Sequence, residues 1–215
     1  MSPIISVLAL LSIGGWPSPP RPQPVLRLAL AMDGRLPRAV ACVAVAEAAA
    51  LWAPYRVAIG PPGPAPSGGP HDGLVDAALT VRVAEPTPGV IRAWSSPFAS
   101  IRFQSDGVPE PTLLLHYDTL LTLGLGTVTV GGSREGRWPK ALRDQILGRM
   151  IGRVLAHEIG HWLLRSSEHS AGGLMRASQP AHLLADPARE GFALTPADAA
   201  TLRARYVGWN EPRRP

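Results

Sequence analysis

Two histidines and a glutamate lie together in the pentapeptide His157-Glu158-Ile159-Gly160-His161. Residues four apart on an α-helix share a face and stand roughly 6 Å apart at Cβ, so both imidazoles can point at one metal ion. Glu158 follows the first histidine by one residue, about 100° round the helix, which places its carboxylate beside the ion. The spacing therefore predicts a metal site whose glutamate deprotonates a bound water. The alternative is a buried helix with two satisfied histidines.

A third histidine, a glycine pair and a methionine follow this pentapeptide. The stretch from His157 to Met175 resembles the metzincin clan of zinc metalloproteases, whose pattern is HExxHxxGxxH followed by a methionine turn beneath the metal. The resemblance implies that His157, His161 and His169 bind Zn²⁺. It also implies that Glu158 is the general base and that Met175 is the methionine of the turn.

The spacing after the second histidine departs from the family pattern. The positions that the pattern gives to the turn glycine and to the third histidine hold Leu164 and Ser167, and His169 comes two residues later. We expect the longer connection to turn without a residue at positive φ, so that it replaces what glycine provides. The alternative is a carboxylate ligand from a later helix, as in the gluzincins, for which Glu190 is the candidate.

A long helix must carry the two histidines. The segment Lys140 to Leu164 is apolar on most of its circumference, which predicts a helix inside a domain. Pro139 suits its first turn, because the missing N–H would be unsatisfied there in any case. Gly148 and Gly152 lie one turn apart and are expected to let the helix approach a sheet closely.

The N-terminal part predicts a βαβ unit. Val25 to Ala31 alternates in hydropathy and predicts a strand, alanine-rich Arg38 to Trp52 predicts a helix, and Tyr55 to Ile59 predicts a second strand parallel to the first. Cys42 is the single cysteine, so no internal disulfide can form. We expect its thiol to be packed among small apolar residues of the helix.

Further short strands are predicted at Ala77 to Val83, at Ser100 to Phe103 and at Thr112 to Tyr117. In proteases resembling this one, an edge strand beside the cleft holds the peptide substrate in extended form, and Thr112 to Tyr117 is the expected candidate. An unpaired edge offers backbone donors and acceptors that such a peptide completes. A strand or hairpin is also predicted at Thr127 to Val130.

The expected architecture is α+β and zincin-like: a small mixed β-sheet packed on an N-terminal helix and a long active-site helix, with a short C-terminal helical part. Thr195-Pro196-Ala197-Asp198 resembles a capping box and predicts the start of the last helix. Tyr206 on that helix is expected to pack in the core, with a role as an oxyanion-stabilising phenol as the alternative. Residues 25–215 are expected to form a single metalloprotease catalytic domain.

Composition limits the partners and the location. With 215 residues, of which 46% are hydrophobic, the chain can bury one sizeable core. Its net charge of +5 comes from scattered arginines, so nucleic-acid binding is not predicted. Residues 1–24 combine an apolar run with a proline-rich linker and resemble a signal peptide, which predicts a secreted or extracytoplasmic protein and otherwise a cytoplasmic one. The run is too short to span a bilayer, and no integral membrane span is predicted.

The function predicted from these residues is zinc-dependent endopeptidase activity. Three neutral imidazoles leave the charge of Zn²⁺ uncompensated, so a bound water becomes acidic while the metal polarises the scissile carbonyl. Glu158 then takes the proton and returns it to the leaving amine. The alternatives are the gluzincin-type peptidase and a non-catalytic zinc-binding or interaction module. The intact glutamate argues against the module, because a purely structural site needs no base.

Overall fold

One mixed sheet organises the fold. The structure is a computed structural model that describes residues 26–61, 75–85 and 97–209; the signal-like residues 1–24 and Val25 lie outside these ranges. The strands of the sheet are β1 (Leu26–Ala31), β2 (Val57–Gly60), β3 (Val75–Val83), β4 (Ala99–Phe103) and β5 (Pro109–Leu115). They are ordered β2-β1-β3-β5-β4, and only β4 is antiparallel to its neighbour. The predicted α+β class with a mixed sheet is confirmed.

The βαβ unit forms as predicted. Leu26, Leu28 and Leu30 are buried on one face of β1, as the alternating pattern requires. A helix follows, and β2 then pairs with β1 in the parallel sense. β2 begins at Val57 and not at Tyr55, because Ala53–Tyr55 closes the helix with a 3₁₀ turn.

The edge of the sheet differs from the prediction. β5 pairs with β3 on one side and with β4 on the other, so the predicted edge strand Thr112 to Tyr117 is wrong. Its strand residues lie inside the sheet, and Tyr117 begins a helical segment. In the part of the chain that the structure describes, β4 is the edge on this side. Hydropathy alone does not reveal this order: β5 lies between its antiparallel neighbour in sequence, β4, and the parallel strand β3, which a longer connection separates from it.

Helices and turns account for most of the remaining described residues. The helices are α1 (Arg38–Trp52), α2 (Tyr117–Thr119), α3 (Lys140–Leu164), α4 (Ala181–Ala185) and α5 (Pro196–Trp209). The predicted hairpin forms as a ribbon of β6 (Thr129–Val130) and β7 (Ser133–Arg134). The predicted cap of α5 is also confirmed, since the Asp198 N–H donates to Thr195 Oγ1 at 3.2 Å. Within the described ranges, no helix has both the length and the apolar composition needed to cross a membrane.

α3 packs closely against α1. A Cβ at Gly152 would stand 2.6 Å from the carbonyl oxygen of Ala44, so this glycine is needed for the contact. The prediction that the α3 glycines face a sheet is therefore wrong: they face a helix. Trp52 Nε1 donates to the carbonyl of Ala156 at 3.1 Å and ties α1 to the turn that carries the histidines. Cys42 is exposed on α1, so the predicted packed thiol is wrong too.

Candidate metal centre

Three histidines converge at the C-terminal end of α3. His157 and His161 lie on successive turns, and His169 comes from the loop that follows. One ligand nitrogen from each lies within 4.8 Å of the others, so the three could hold a metal ion. The Nε2 atoms of His157 and His161 are 3.1 Å apart. Metal–nitrogen bonds of 2.0–2.1 Å in a tetrahedral site place two such nitrogens about 3.3 Å apart, so this spacing lets both nitrogens bind one metal ion.

Backbone carbonyls set which nitrogen of each helical histidine is free. His157 Nδ1 lies 2.7 Å from the oxygen of Leu174, and His161 Nδ1 lies 2.7 Å from the oxygen of Ser166. A carbonyl can only accept, so each Nδ1 carries the proton and each Nε2 keeps a lone pair for a metal. Burial lowers the pKa of His157 to about 4 and also lowers the pKa of His161. Both rings are therefore neutral at pH 7.

The turn that ends α3 also orients the second histidine. Arg165 takes the left-handed conformation at φ 47°, and the Ser166 N–H reaches the carbonyl of His161 at 3.3 Å. This is a Schellman-type end, which satisfies carbonyls that the helix leaves without partners. The expectation of a turn without positive φ is therefore wrong. The left-handed residue comes one position after Leu164, where the family pattern has its glycine, and the Ser166 carbonyl then accepts from the ring of His161.

The loop of His169 is anchored by its neighbour and by the cap of α5. His169 is exposed. Ser170 Oγ donates to Asp198 Oδ2 at 2.7 Å, and the Ser170 N–H donates to the Met175 carbonyl at 2.9 Å. Asp198 also accepts from Thr195 Oγ1. Asp198, the acidic residue of the capping box, thus holds the residue next to His169. The capping-box motif did not indicate this second role, because the two segments are far apart in sequence.

Met175 lies under the backbone of the motif. Its side chain is only 1% exposed. A Cβ at Gly160 would stand 2.2 Å from Met175 Sδ, so the glycine of the pentapeptide leaves the space that the methionine fills. The methionine therefore supports the helix between Glu158 and His161.

Gly173 shapes the segment that leads to Met175. It has a φ of 70°, and a Cβ there would stand 2.2 Å from the carbonyl oxygen of Ala193, which also accepts the Leu174 N–H. We expect Gly173→Ala to destabilise the protein by roughly 2–5 kcal/mol, through the left-handed backbone and the clash. Thermal unfolding measures this. The matched control is Gly172→Ala, since Gly172 has open space at its Cβ position. Equal melting temperatures for the two variants would contradict the prediction.

Glu158 lies beside the histidines but outside their cluster. It is 7% exposed, and its carboxylate is not among the converging ligand atoms. Burial raises the pKa of Glu158 to about 7, against an opposing backbone hydrogen bond from Ile101 in β4. A bound dication would lower that pKa. A carboxylate in this setting can accept and release a proton near neutral pH, as general-base catalysis requires.

The alternative candidates do not join this centre. Glu190 is exposed in the 3₁₀ turn Glu190–Phe192 and lies outside the histidine cluster. Tyr206 packs against the core, and burial raises its pKa. The core role expected for Tyr206 thus agrees with its position. His182 is exposed on α4 and lines the cavity described next.

A cavity of about 900 Å³ opens beside the three histidines and Glu158. β4 forms one wall through Ala99, Ser100 and Ile101. Another wall is the segment 176–182, which follows Met175. The candidate metal centre therefore faces a space large enough for several side chains of an extended peptide, bordered by the edge of the sheet.

Comparisons with protein-family models, with curated proteins and with solved structures found no match for this chain. What the site can do is therefore derived from its own side chains. These are three imidazoles that could hold a metal ion, a carboxylate outside their cluster and an adjoining cavity.

Sequence reasoning missed a buried ion pair behind the centre. Arg153 lies one helical turn before His157 and is 1% exposed. Its Nε donates to Glu47 Oε1 at 2.9 Å, and its guanidinium stacks on Phe192 with 4.3 Å between Cζ and the ring centroid. Burial would raise the pKa of Glu47, but hydrogen bonds from Arg189 and Arg153 outweigh it and lower that pKa. The signal in the sequence was Arg153 itself, a charged residue within an apolar helix, which indicates a buried partner.

Proposed function

We propose that the chain is a zinc-dependent endopeptidase with a zincin-like fold and a metzincin-like site. The observation that carries the proposal is the convergence of His157, His161 and His169 with Glu158 buried beside them and outside the ligand set. A structural zinc site would close the fourth position with another protein ligand and would not need a base there. The adjoining cavity supplies the room for a substrate.

Each side chain has a defined task in the proposed reaction. Nε2 of His157 and of His161 would hold the ion together with His169. When bound, zinc supplies a Lewis acid and acidifies a coordinated water. Glu158 takes a proton from the attacking water and delivers it to the nitrogen of the leaving amine, so that the C–N bond breaks without an amide anion. The carbonyls of Leu174 and Ser166 keep the imidazoles oriented.

We assign substrate alignment to β4. Its outer side has no paired strand among the described residues, while Ala99, Ser100 and Ile101 line the cavity next to Glu158. An extended peptide added to this edge would pair with the outer backbone groups of β4 other than the Ile101 N–H, which already donates to Glu158, and would lie across the histidine centre. Because such pairing uses the main chain, it would accept many sequences, which suits an endopeptidase.

The gluzincin-type alternative is less favoured, because its carboxylate ligand would have to join the histidines. Glu190 is exposed and outside their cluster. A non-catalytic zinc module gives Glu158 no role, although burial of its carboxylate costs free energy. Both alternatives nonetheless make distinct predictions about zinc content and turnover.

The test measures zinc content and casein hydrolysis on one purified sample. We expect about one zinc per chain, because the three histidines form a single site. A chelator should abolish hydrolysis, and added zinc should restore it, while a serine-protease inhibitor should have no effect. Stoichiometric zinc without hydrolysis would favour the binding module. Hydrolysis that survives removal of the zinc would contradict the proposed mechanism.

A further inference from the structure

Arg176 brings an uncompensated positive charge to the cavity. It directly follows Met175, is exposed, and lines the cavity. Its backbone is held by an N–H bond to the Gly173 carbonyl at 3.3 Å and by a β-bridge with Ser170. Across the described ranges, its guanidinium makes no ion pair or hydrogen bond. The charge is therefore free to meet a ligand.

The other charges of the cavity leave this one unbalanced. Among the described lining residues, the only other fully charged types are Arg153 and Glu158. Arg153 is buried and already engaged by Glu47, a carboxylate that it shares with Arg189. Glu158 is assigned to proton transfer and is the single acidic residue of the lining. Beyond that base, the wall that carries Arg176 offers a positive potential and no carboxylate to oppose it.

The wall is anchored on both sides of Arg176. Gln179 Nε2 donates to the Gly173 carbonyl at 2.8 Å and folds the segment back on itself. Farther along, Arg149 Nη1 donates to the Ala185 carbonyl at 2.6 Å, so α3 holds the end of α4. A guanidinium on an anchored backbone loses less conformational entropy on binding than one on a free loop.

We propose that Arg176 is a specificity-determining residue that binds a carboxylate of the peptide substrate near the scissile bond. The proposal rests on the proposed function for the identity of the ligand as a peptide. A guanidinium matches a carboxylate with two parallel hydrogen bonds, which neutral side chains cannot offer. The carboxylate comes from an acidic side chain or from a free C-terminus. Because Arg176 is exposed to solvent, we expect a preference of only about tenfold.

Four peptides test the inference. They share one sequence that the parent enzyme cleaves, carry Glu or Gln after the scissile bond, and end in a free acid or an amide. We expect kcat/KM to be about tenfold higher for the preferred carboxylate, and the ratio to fall to about one in Arg176→Gln. The control Arg203→Gln removes the same charge from an exposed position of α5 and should keep the parent's ratio. Comparing Glu-amide with Gln-acid identifies the source of the carboxylate.

Binding separates this inference from the proposed function. The same peptides, fluorescently labelled, are titrated into full-length Glu158→Gln protein with and without Arg176→Gln, and anisotropy is recorded. A carboxylate preference that disappears in Arg176→Gln supports the inference, whether or not the parent protein hydrolyses the peptides. Absence of hydrolysis by the parent would overturn only the peptidase proposal. Two results overturn the inference: the absence of any carboxylate preference, or a preference that survives Arg176→Gln. If the peptides are hydrolysed in either case, the peptidase proposal stands.

Discussion

Glu158→Gln is expected to lower casein hydrolysis by at least about a hundredfold while the zinc stays bound. The amide keeps the shape of the side chain but cannot accept the proton from water, and general-base catalysis is typically worth roughly 10²- to 10⁴-fold. Zinc content should match that of the parent, because Glu158 lies outside the group of converging ligand nitrogens. Metal analysis checks the zinc content, and casein hydrolysis by the same preparation checks the loss of turnover.

The matched control for this prediction is Glu168→Gln. Glu168 is an exposed glutamate of the loop that carries His169, so its substitution removes the same charge close to the site. Its turnover should remain near that of the parent. Loss of zinc in Glu158→Gln would make Glu158 a ligand or the support of one. Undiminished hydrolysis would show that the activity belongs to another site or to a contaminant.

His169→Ala is expected to remove most of the zinc and, with it, the hydrolytic activity. Two histidines remain, and the affinity should fall by at least about a hundredfold, since loss of a mere outer-shell partner already costs 10- to 100-fold. Competition with a chromogenic chelator measures the affinity. The fold should persist, because His169 is exposed and its loop is anchored through Ser170 and Asp198.

Two further variants interpret this result. His182→Ala removes an exposed histidine of the same cavity and should keep the zinc. Glu190→Gln should also keep it, because Glu190 lies outside the histidine cluster. If zinc survived His169→Ala but fell with Glu190→Gln, the gluzincin-type assignment would replace the metzincin-like one.

Local elements of this chain follow from local sequence. The helices Arg38–Trp52 and Lys140–Leu164 have the predicted bounds. Both follow a proline, which cannot donate the hydrogen bond that a helix interior requires, and both have compositions that favour helix. The alternation of β1 also predicted which leucines are buried. Such features depend on backbone geometry over a few residues, and no distant segment is needed to produce them.

Tertiary contacts account for the errors. The resemblance predicts Thr112 to Tyr117 as an edge strand, but β5 pairs with β3 on one side and with the preceding strand β4 on the other, so β4 takes the edge. Gly152 has no side chain and so predicts a close contact, but its partner is α1 and not the sheet. Cys42 is exposed because the buried face of α1 falls elsewhere on the helix. A hydropathy pattern predicts that one face of an element is buried, but it does not predict which element packs against that face.

The sequence by itself determined the pairing of His157 with His161 and the place of Glu158 beside them, because four-residue spacing on a helix sets those directions. Only the tertiary structure decided which later residue joins them. Whether His169 or Glu190 approaches depends on how the chain reverses after α3, and that reversal uses a left-handed Arg165 and an anchor on α5, far away in sequence. Side-chain convergence across loops is a property of the folded chain, because each contact requires two segments that only folding brings together.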